Sequence, residues 1–176
     1  MRSGLRTFAF IALAATLFAA GGCRTSGLAF RIDDRVEIVA PEENATVTLP
    51  FDLRWTVEDF EVVGADGSQS DDAGYFAVLL DTSPMPPGES LRYYARDDET
   101  CNPKTKCPDT AYLADRNVYV TRSTTYPITA LQDTRPVDRP SAPDSHEITI
   151  VLMNGRNERI GESAFKVAFT VDRGQV

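Results

Sequence analysis

The single histidine of the chain, His146, is the first residue that could carry acid–base chemistry. Imidazole is the side chain most often used as a general acid or base near neutral pH. His146 shares the parity of Ile148 and Ile150 in a segment where apolar and polar residues alternate. This spacing favours a histidine at the edge of a hydrophobic core, at the start of a strand, over a catalytic one.

Carboxylates lie on both sides of a pair of cysteines: Asp97, Asp98 and Glu99 precede the pair and Asp109 follows it. Carboxylate oxygens are ligands that Ca²⁺ prefers, so these four residues are the calcium candidates of the chain. The sequence lacks the Asp-x-Asp-x-Asp-Gly spacing of a calcium-binding loop. Solvated loop charge is therefore the favoured interpretation, and no metal site is predicted.

Four tyrosines in the middle of the chain are candidates for binding a partner: Tyr93, Tyr94, Tyr112 and Tyr119. Tyrosine gives a large contact area at a low cost in side-chain entropy, which is why it is common in binding surfaces. Packing on ordinary strands is the alternative, and it is the favoured interpretation. The binding hypothesis adds that the neighbouring cysteines hold this surface in one shape.

The first residues of the chain are typical of an export signal. Arg2 and Arg6 give a basic start, and residues 8–20 form an unbroken apolar run. At about 1.5 Å per residue, a helix over this run falls short of the roughly 30 Å core of a bilayer. The length indicates the apolar region of a signal peptide and not a membrane span.

The apolar run ends in Ala20-Gly21-Gly22-Cys23, which resembles the lipobox of bacterial lipoproteins. The resemblance implies that residues 1–22 are removed and that Cys23 carries the diacylglycerol and palmitate of a membrane anchor. An ordinary secretory signal, with Cys23 left as a free thiol, is the alternative. A lipidated Cys23 predicts a protein tethered to a bacterial membrane on its extracytoplasmic side, and it explains an odd third cysteine.

Cys101 and Cys107 are the other two cysteines of the chain. Export to an oxidising space makes a disulfide between them the expected state. Two thiolates with no histidine nearby cannot complete a tetrahedral zinc site. Their spacing is not Cys-x-x-Cys, so a redox-active pair is not indicated. The sequence predicts a structural disulfide.

Charge and missing motifs narrow the function classes. The net charge is −8, and every acidic residue lies after Cys23. A surface this acidic disfavours nucleic acid, which binds through clusters of Lys and Arg. Gly-x-Ser-x-Gly, His-Glu-x-x-His and glycine-rich phosphate loops are absent from the sequence, so neither a cofactor nor one of the common hydrolases is predicted.

The segments that must position these residues have an apolar period of two, which is typical of strands. Residues 51–57 alternate strictly and turn Trp55 inward, with a bend expected near Asp59, where the alternation shifts. Residues 75–80 are continuously apolar, as expected of a central strand covered on both faces. Leu91, Tyr93 and Ala95 indicate a weaker strand.

The C-terminal part predicts a hairpin. Residues 146–152 and 165–171 alternate on either side of Asn154-Gly155, a pair that favours the positive φ angles of a hairpin turn. No helix of useful length is predicted. Seven or eight short strands separated by turns indicate an all-β fold, an antiparallel β-sandwich over residues 35–176, behind a tether at residues 24–34.

Three stretches resemble the immunoglobulin-like and fibronectin III-like domains of bacterial envelope proteins. They are the opening Val36-x-Ile-Val-x-Pro41, the inward Trp55 and the hairpin that ends at Val171. The chain departs from this pattern because Cys101 and Cys107 lie within one loop and do not bridge two sheets. The resemblance implies a recognition or accessory function and carries over no catalytic residue.

The sequence therefore predicts a non-catalytic lipoprotein of the cell envelope that binds a protein or a polymer there. An envelope enzyme that uses carboxylates alone, such as a glycan hydrolase, is the alternative. That alternative requires two carboxylates facing each other roughly 5–9.5 Å apart across a cleft.

Overall fold

A computed structural model of the chain describes residues 33–101 and 106–174. The predicted signal peptide at 1–22, the predicted lipidation of Cys23 and most of the predicted tether at 24–34 fall outside the described residues. In the described part, no helix is long and apolar enough to cross a membrane. The strands are β1 (Val36–Ala40), β2 (Ala45–Val47), β3 (Phe51–Val57), β4 (Glu61–Val62), β5 (Ala73–Leu80), β6 (Val118–Thr121), β7 (Thr125–Ile128), β8 (Ser145–Met153) and β9 (Phe165–Val171).

The strands form two sheets, so the predicted all-β, sandwich-like fold is confirmed. The smaller sheet has the order β1-β3-β7. The larger sheet has the order β2-β9-β8-β5-β4, and β6 also pairs with β5. The predicted hairpin is present, because β8 and β9 pair antiparallel from Ser145 opposite Thr170 to Ile150 opposite Phe165.

Two details of the strand prediction are wrong. The described residues contain nine strands, more than the seven or eight predicted, and two of the strand pairs are parallel, β2 with β9 and β4 with β5. The parallel pairs arise because the chain changes sheets between β1 and β2 and again between β3 and β4. The second change follows the bend predicted at Asp59, which has φ 50°.

The core between the two sheets is built on the alternation that the sequence predicts. Leu53 and Trp55 of β3 point inward and are buried, whereas Asp52, Arg54 and Thr56 are exposed. The Trp55 ring meets Phe76 of β5 edge to face, with centroids 5.2 Å apart. Since burial of apolar side chains is the main stabilising term, this interior carries most of the stability of the domain.

The outer face of the larger sheet is also buried, because the connection from β5 to β6 folds back over it. We call this connection, residues 81–117, the cap. A second hydrophobic core lies beneath the cap, and its buried members come from β5, β6, β8 and the cap itself: Tyr75, Ala77, Leu79, Met85, Leu113, Val118, Val151 and Met153. This second core explains why the continuously apolar β5 is buried on both faces, as predicted.

The cap contains two short helices that the sequence analysis did not predict. Residues Leu91–Ala95 form a 3₁₀ helix, so the weak strand expected there is wrong. The Tyr93 N–H donates to the carbonyl of Ser90 at 2.8 Å, and Leu91, Tyr93 and Tyr94 all pack on the second core. Helix α1 (Thr110–Ala114) begins at Asp109, whose side chain accepts a hydrogen bond from the Tyr112 N–H.

Candidate binding groove

An open groove of about 960 Å³ lies between the cap and strand β6. Its apolar lining comes from Tyr75, Leu91, Leu113 and Val120, which are buried or half-buried. The exposed part of its lining includes three cations, Arg92, Lys106 and Arg122, and one carboxylate, Asp109. A concave apolar surface with a few charged groups at its rim is the usual form of a binding site.

Each apolar residue of the groove comes from a different element. Tyr75 belongs to β5 and Val120 to β6, while Leu91 opens the 3₁₀ helix and Leu113 lies in α1. The Tyr75 hydroxyl donates to Oδ1 of Asn157 at 2.7 Å, which fixes the ring. Burial raises the pKa of the Tyr75 phenol, so this side chain stays neutral at physiological pH.

The three cations of the groove are available for a partner. The Arg92 guanidinium donates one long hydrogen bond, 3.4 Å, to the Cys107 carbonyl. Within the described ranges, none of Arg92, Lys106 and Arg122 forms an ion pair. Of the groove-lining residues that the structure describes, Asp109 is the one that is acidic, and its Oδ1 is occupied by the Tyr112 N–H at 2.8 Å. The groove is thus locally positive in a chain with a net charge of −8.

The predicted disulfide is present and borders the groove. Cys101 and Cys107 are bonded, with their Cα atoms 5.1 Å apart. Cys101 is buried, and Cys107 lines the groove together with Pro108. The crosslink therefore restrains the segment that carries Lys106 and Asp109.

Hydrogen bonds of Tyr94 order the cap internally, and a hydrogen bond from Arg159 to the Met85 carbonyl attaches the cap to the rest of the domain. The Tyr94 hydroxyl accepts from the Met85 N–H and donates to the Ser83 carbonyl, each at 3.1 Å. Burial raises the pKa of Tyr94 to about 12. The buried Arg159 guanidinium donates to the carbonyls of Met85, Glu162 and Ser163. These contacts satisfy polar groups that would be costly to bury alone.

The structure brings together three of the four tyrosines that the sequence singled out. Tyr93 and Tyr94 meet edge to face with centroids 5.7 Å apart, and they line a smaller cavity of about 440 Å³ with Tyr112. Tyr119 is not part of this group, because its position in β6 turns it toward the core between the sheets, 5.3 Å from the ring of Tyr126. Tyr119 therefore does not share a surface with the other three tyrosines, and its contact with a partner stays a prediction.

The three cap tyrosines already have partners within the cap. The Arg96 guanidinium lies over Tyr93 at 4.0 Å and that of Arg116 over Tyr112 at 3.6 Å. The Tyr112 hydroxyl donates to Asp98 at 2.9 Å. These contacts position the tyrosines as supports of the cap, and their direct contact with a partner stays a prediction.

Three of the four calcium candidates, Asp97, Asp98 and Asp109, are engaged with neighbouring groups. Asp98 accepts from Thr100 and Tyr112, and these hydrogen bonds lower its pKa. Asp97 forms an ion pair with Arg96 at 3.3 Å, and Asp109 caps α1. Over residues 33–101 and 106–174, no group of three or more His, Cys, Asp or Glu side chains is placed to hold a metal ion. The geometry therefore gives no support to a calcium site on Asp97, Asp98, Glu99 and Asp109.

His146 lies at the start of β8 and is 4% exposed, so the predicted position at the core edge is confirmed. Its Nδ1 is 2.7 Å from Oδ2 of Asp81, and its Nε2 is 3.2 Å from Oδ1 of Asp144. Although burial raises the pKa of Asp144, hydrogen bonds from Thr134, Arg173 and His146 outweigh it and lower that pKa. The histidine lies outside the groove lining and joins the cap boundary at Asp81 to β8.

Comparisons of the chain with family models, curated proteins and solved structures found no match. The functional argument therefore rests on the groove. The sequence analysis missed its cations because Arg92, Lys106 and Arg122 come from separate parts of the chain. One feature of the sequence could have pointed to these cations: two arginines follow apolar residues closely, in Leu91-Arg92 and in Val120-Thr121-Arg122.

Proposed function

We propose that the protein is a non-catalytic binding module of the bacterial cell envelope, anchored to a membrane through lipid on Cys23. The observation that carries the binding proposal is the groove between the cap and β6. Its apolar floor and its three cations, which form no ion pair with any residue that the structure describes, offer a partner both hydrophobic and charged contacts. The disulfide at the border of the groove already restrains the neighbouring segment, so this segment loses less conformational entropy when a partner binds.

The sheet order supports an immunoglobulin-like topology for the domain. In variable-type immunoglobulin domains, strands A, B and E share one sheet, and strands G, F, C and C′ lie in the other. The order β1-β3-β7 corresponds to the first set and β9-β8-β5-β6 to the second. In this proposal the cap is an enlarged C–C′ connection. Trp55 on β3 departs from the immunoglobulin pattern, which places the tryptophan on strand C.

The groove favours binding over glycan hydrolysis. A carboxylate-based glycosidase needs two facing carboxyl groups, one to donate a proton and one to act as base or nucleophile. Among the lining residues within 33–101 and 106–174, Asp109 is the one carboxylate, and its role as the cap of α1 occupies it. The alternative enzyme class therefore lacks its second group at this site.

Photocrosslinking in cells tests the proposal. We would place photoreactive benzoylphenylalanine at Thr121, which lines the groove, and in a control at Val137, which is fully exposed. We expect crosslinks to an envelope component from Thr121 and none from Val137. The same yield from both positions, or none from Thr121, would contradict a partner in the groove.

The anchor has its own test within the same experiment. The Cys23→Ser variant should lose lipid labelling and leave the membrane fraction in a carbonate wash. A serine variant that stays in the membrane fraction would show that the lipid-anchor proposal is wrong, and it would leave the groove result unaffected.

A further inference from the structure

Strand β6 forms an open edge of the larger sheet beside the groove. It pairs with β5 on one side, from Val118 opposite Leu79 to Thr121 opposite Phe76. Among the described residues, no other strand pairs with its second side. The backbone N–H and C=O groups on that side are available to another extended chain.

The other edges carry features that prevent strand addition, whereas β6 carries none of them. Strand β7 contains Pro127, which lacks an N–H, and β1 has a register shift between Ile38 and Ala40. Strands β2 and β4 have only three and two residues. Strand β6 reads Val-Tyr-Val-Thr, with four good strand formers and no proline or charge. Proteins seldom leave such an edge open unless it is used.

We infer that the groove takes an extended acidic peptide, which adds to the free edge of β6. This inference rests on the proposed function and names the class of partner. Backbone hydrogen bonds to β6 would hold the peptide, and every second side chain would face the outer side of the sheet. On that side Val120 and Leu113 offer apolar contacts.

Charge complementarity sets the acidic character of the peptide. Arg92, Lys106 and Arg122 are exposed around the groove and form no ion pair with any described residue. Carboxylates on the peptide would pair with these cations. Asp109 would repel an acidic peptide, but the three cations outnumber this single carboxylate in the described part of the lining and would attract it. The rest of the acidic surface repels an acidic peptide, so binding is directed to this groove.

The test uses the full chain, purified in detergent, and a fluorescent acetylated octapeptide of alternating glutamate and valine as the probe. We expect saturable binding by fluorescence anisotropy, with at least about tenfold weaker binding of the lysine–valine octapeptide. Two further versions of the acidic peptide carry N-methyl groups on alternate backbone amides, one at the odd positions and one at the even positions. One of the two should bind about tenfold more weakly than the unmodified peptide, because only half of the peptide's N–H donors face β6.

Matched charge reversals locate the site. The double variant Arg92→Glu and Arg122→Glu should weaken the acidic peptide by about tenfold or more. The double variant Arg54→Glu and Arg139→Glu changes net charge equally at exposed positions outside the groove and should bind as the wild type does. Circular dichroism of both variants verifies that they are folded.

The outcomes separate this inference from the proposed function. Equal binding of the N-methylated and unmodified peptides would overturn strand addition to β6. Equal loss in the two double variants would overturn the groove cations as the acidic contacts. No binding of the acidic octapeptide, together with a groove crosslink from Thr121 in cells, would overturn the acidic-peptide partner and leave the groove proposal standing.

Discussion

The core between the two sheets and the core beneath the cap are both well buried, but different contacts hold them. Between the sheets, apolar side chains from alternating strands fill the interior around Trp55, Phe76 and Ile150. Beneath the cap, apolar packing around Met85 and Leu113 is supplemented by a disulfide and by hydrogen bonds to backbone carbonyls. The first region depends on hydrophobic area, and the second also depends on a few specific contacts.

This difference indicates how stability and binding are divided. Hydrophobic packing between sheets is distributed over many residues and holds the whole fold together. The cap is one connection between β5 and β6, and it builds the groove from short elements that could not fold alone. Damage to the interior should therefore remove both folding and binding, whereas damage to the cap contacts should cost less stability, leave the sandwich folded and weaken binding.

The largest effect is expected from Trp55→Ala. Loss of the indole, which is 3% exposed, should lower the free energy of unfolding by about 3–5 kcal/mol. Urea unfolding followed by circular dichroism measures the loss. Trp55→Phe is the matched control, and it should cost much less because it keeps an aromatic ring near Phe76. A loss below about 1 kcal/mol in Trp55→Ala would contradict the described interior.

Arg159→Met should lower the free energy of unfolding by about 2–3 kcal/mol. The substitution keeps an apolar stem but removes the guanidinium group that donates hydrogen bonds to the carbonyls of Met85, Glu162 and Ser163. Arg139→Met is the control. Because Arg139 is exposed, its replacement should leave the free energy of unfolding almost unchanged. Equal stability of the two variants in urea would show that the buried guanidinium does not hold the cap.

Replacing Cys101 and Cys107 together with serine should lower the free energy of unfolding by about 2 kcal/mol, the loop-closure value for so short a loop. The sandwich should stay folded because its interior does not include this loop. The groove crosslink from Thr121 should fall much more than stability does. An unchanged crosslink would show that the disulfide does not shape the groove.

The smallest effect is expected from Asp144→Asn, which should lower the free energy of unfolding by about 1–2 kcal/mol at neutral pH. Its hydrogen bonds from Thr134 and Arg173 lower the pKa of Asp144, despite the opposing effect of burial. A carboxyl with a lowered pKa in the folded state stabilises the protein above its ordinary pKa near 4, and that stability is lost as pH falls. Urea unfolding at pH 7 and at pH 3 should show the wild-type advantage shrinking in acid. A constant difference would contradict an ionised Asp144.

The parts of the fold that sequence could predict are those with a period of two. The inward Trp55, the doubly covered β5 and the hairpin of β8 and β9 follow from alternation, and the burial of His146 follows from its parity with Ile148. The disulfide followed from the expected export of the chain and from the lack of a zinc-site or Cys-x-x-Cys pattern around Cys101 and Cys107. These features depend on neighbours within one segment.

The cap could not be predicted in this way. Five residues are too few to show a helical period, so α1 had no signal beyond Asp109 as an N-cap. The groove joins Arg92 to Arg122 across the cap, and Asp81 reaches His146 across 65 positions. Such pairs depend on how the cap folds over the sheet, and no local pattern contains that information.

Amide hydrogen exchange before and after reduction of the disulfide tests most directly whether the cap is a separately stabilised binding surface. The same full chain would be followed by mass spectrometry, so that the crosslink is the only variable. We predict faster exchange in the cap, residues 81–117, and unchanged slow exchange in β8 at Ser145–Met153. Acceleration of β8 by the same factor as the cap, or no acceleration in the cap, would contradict the account.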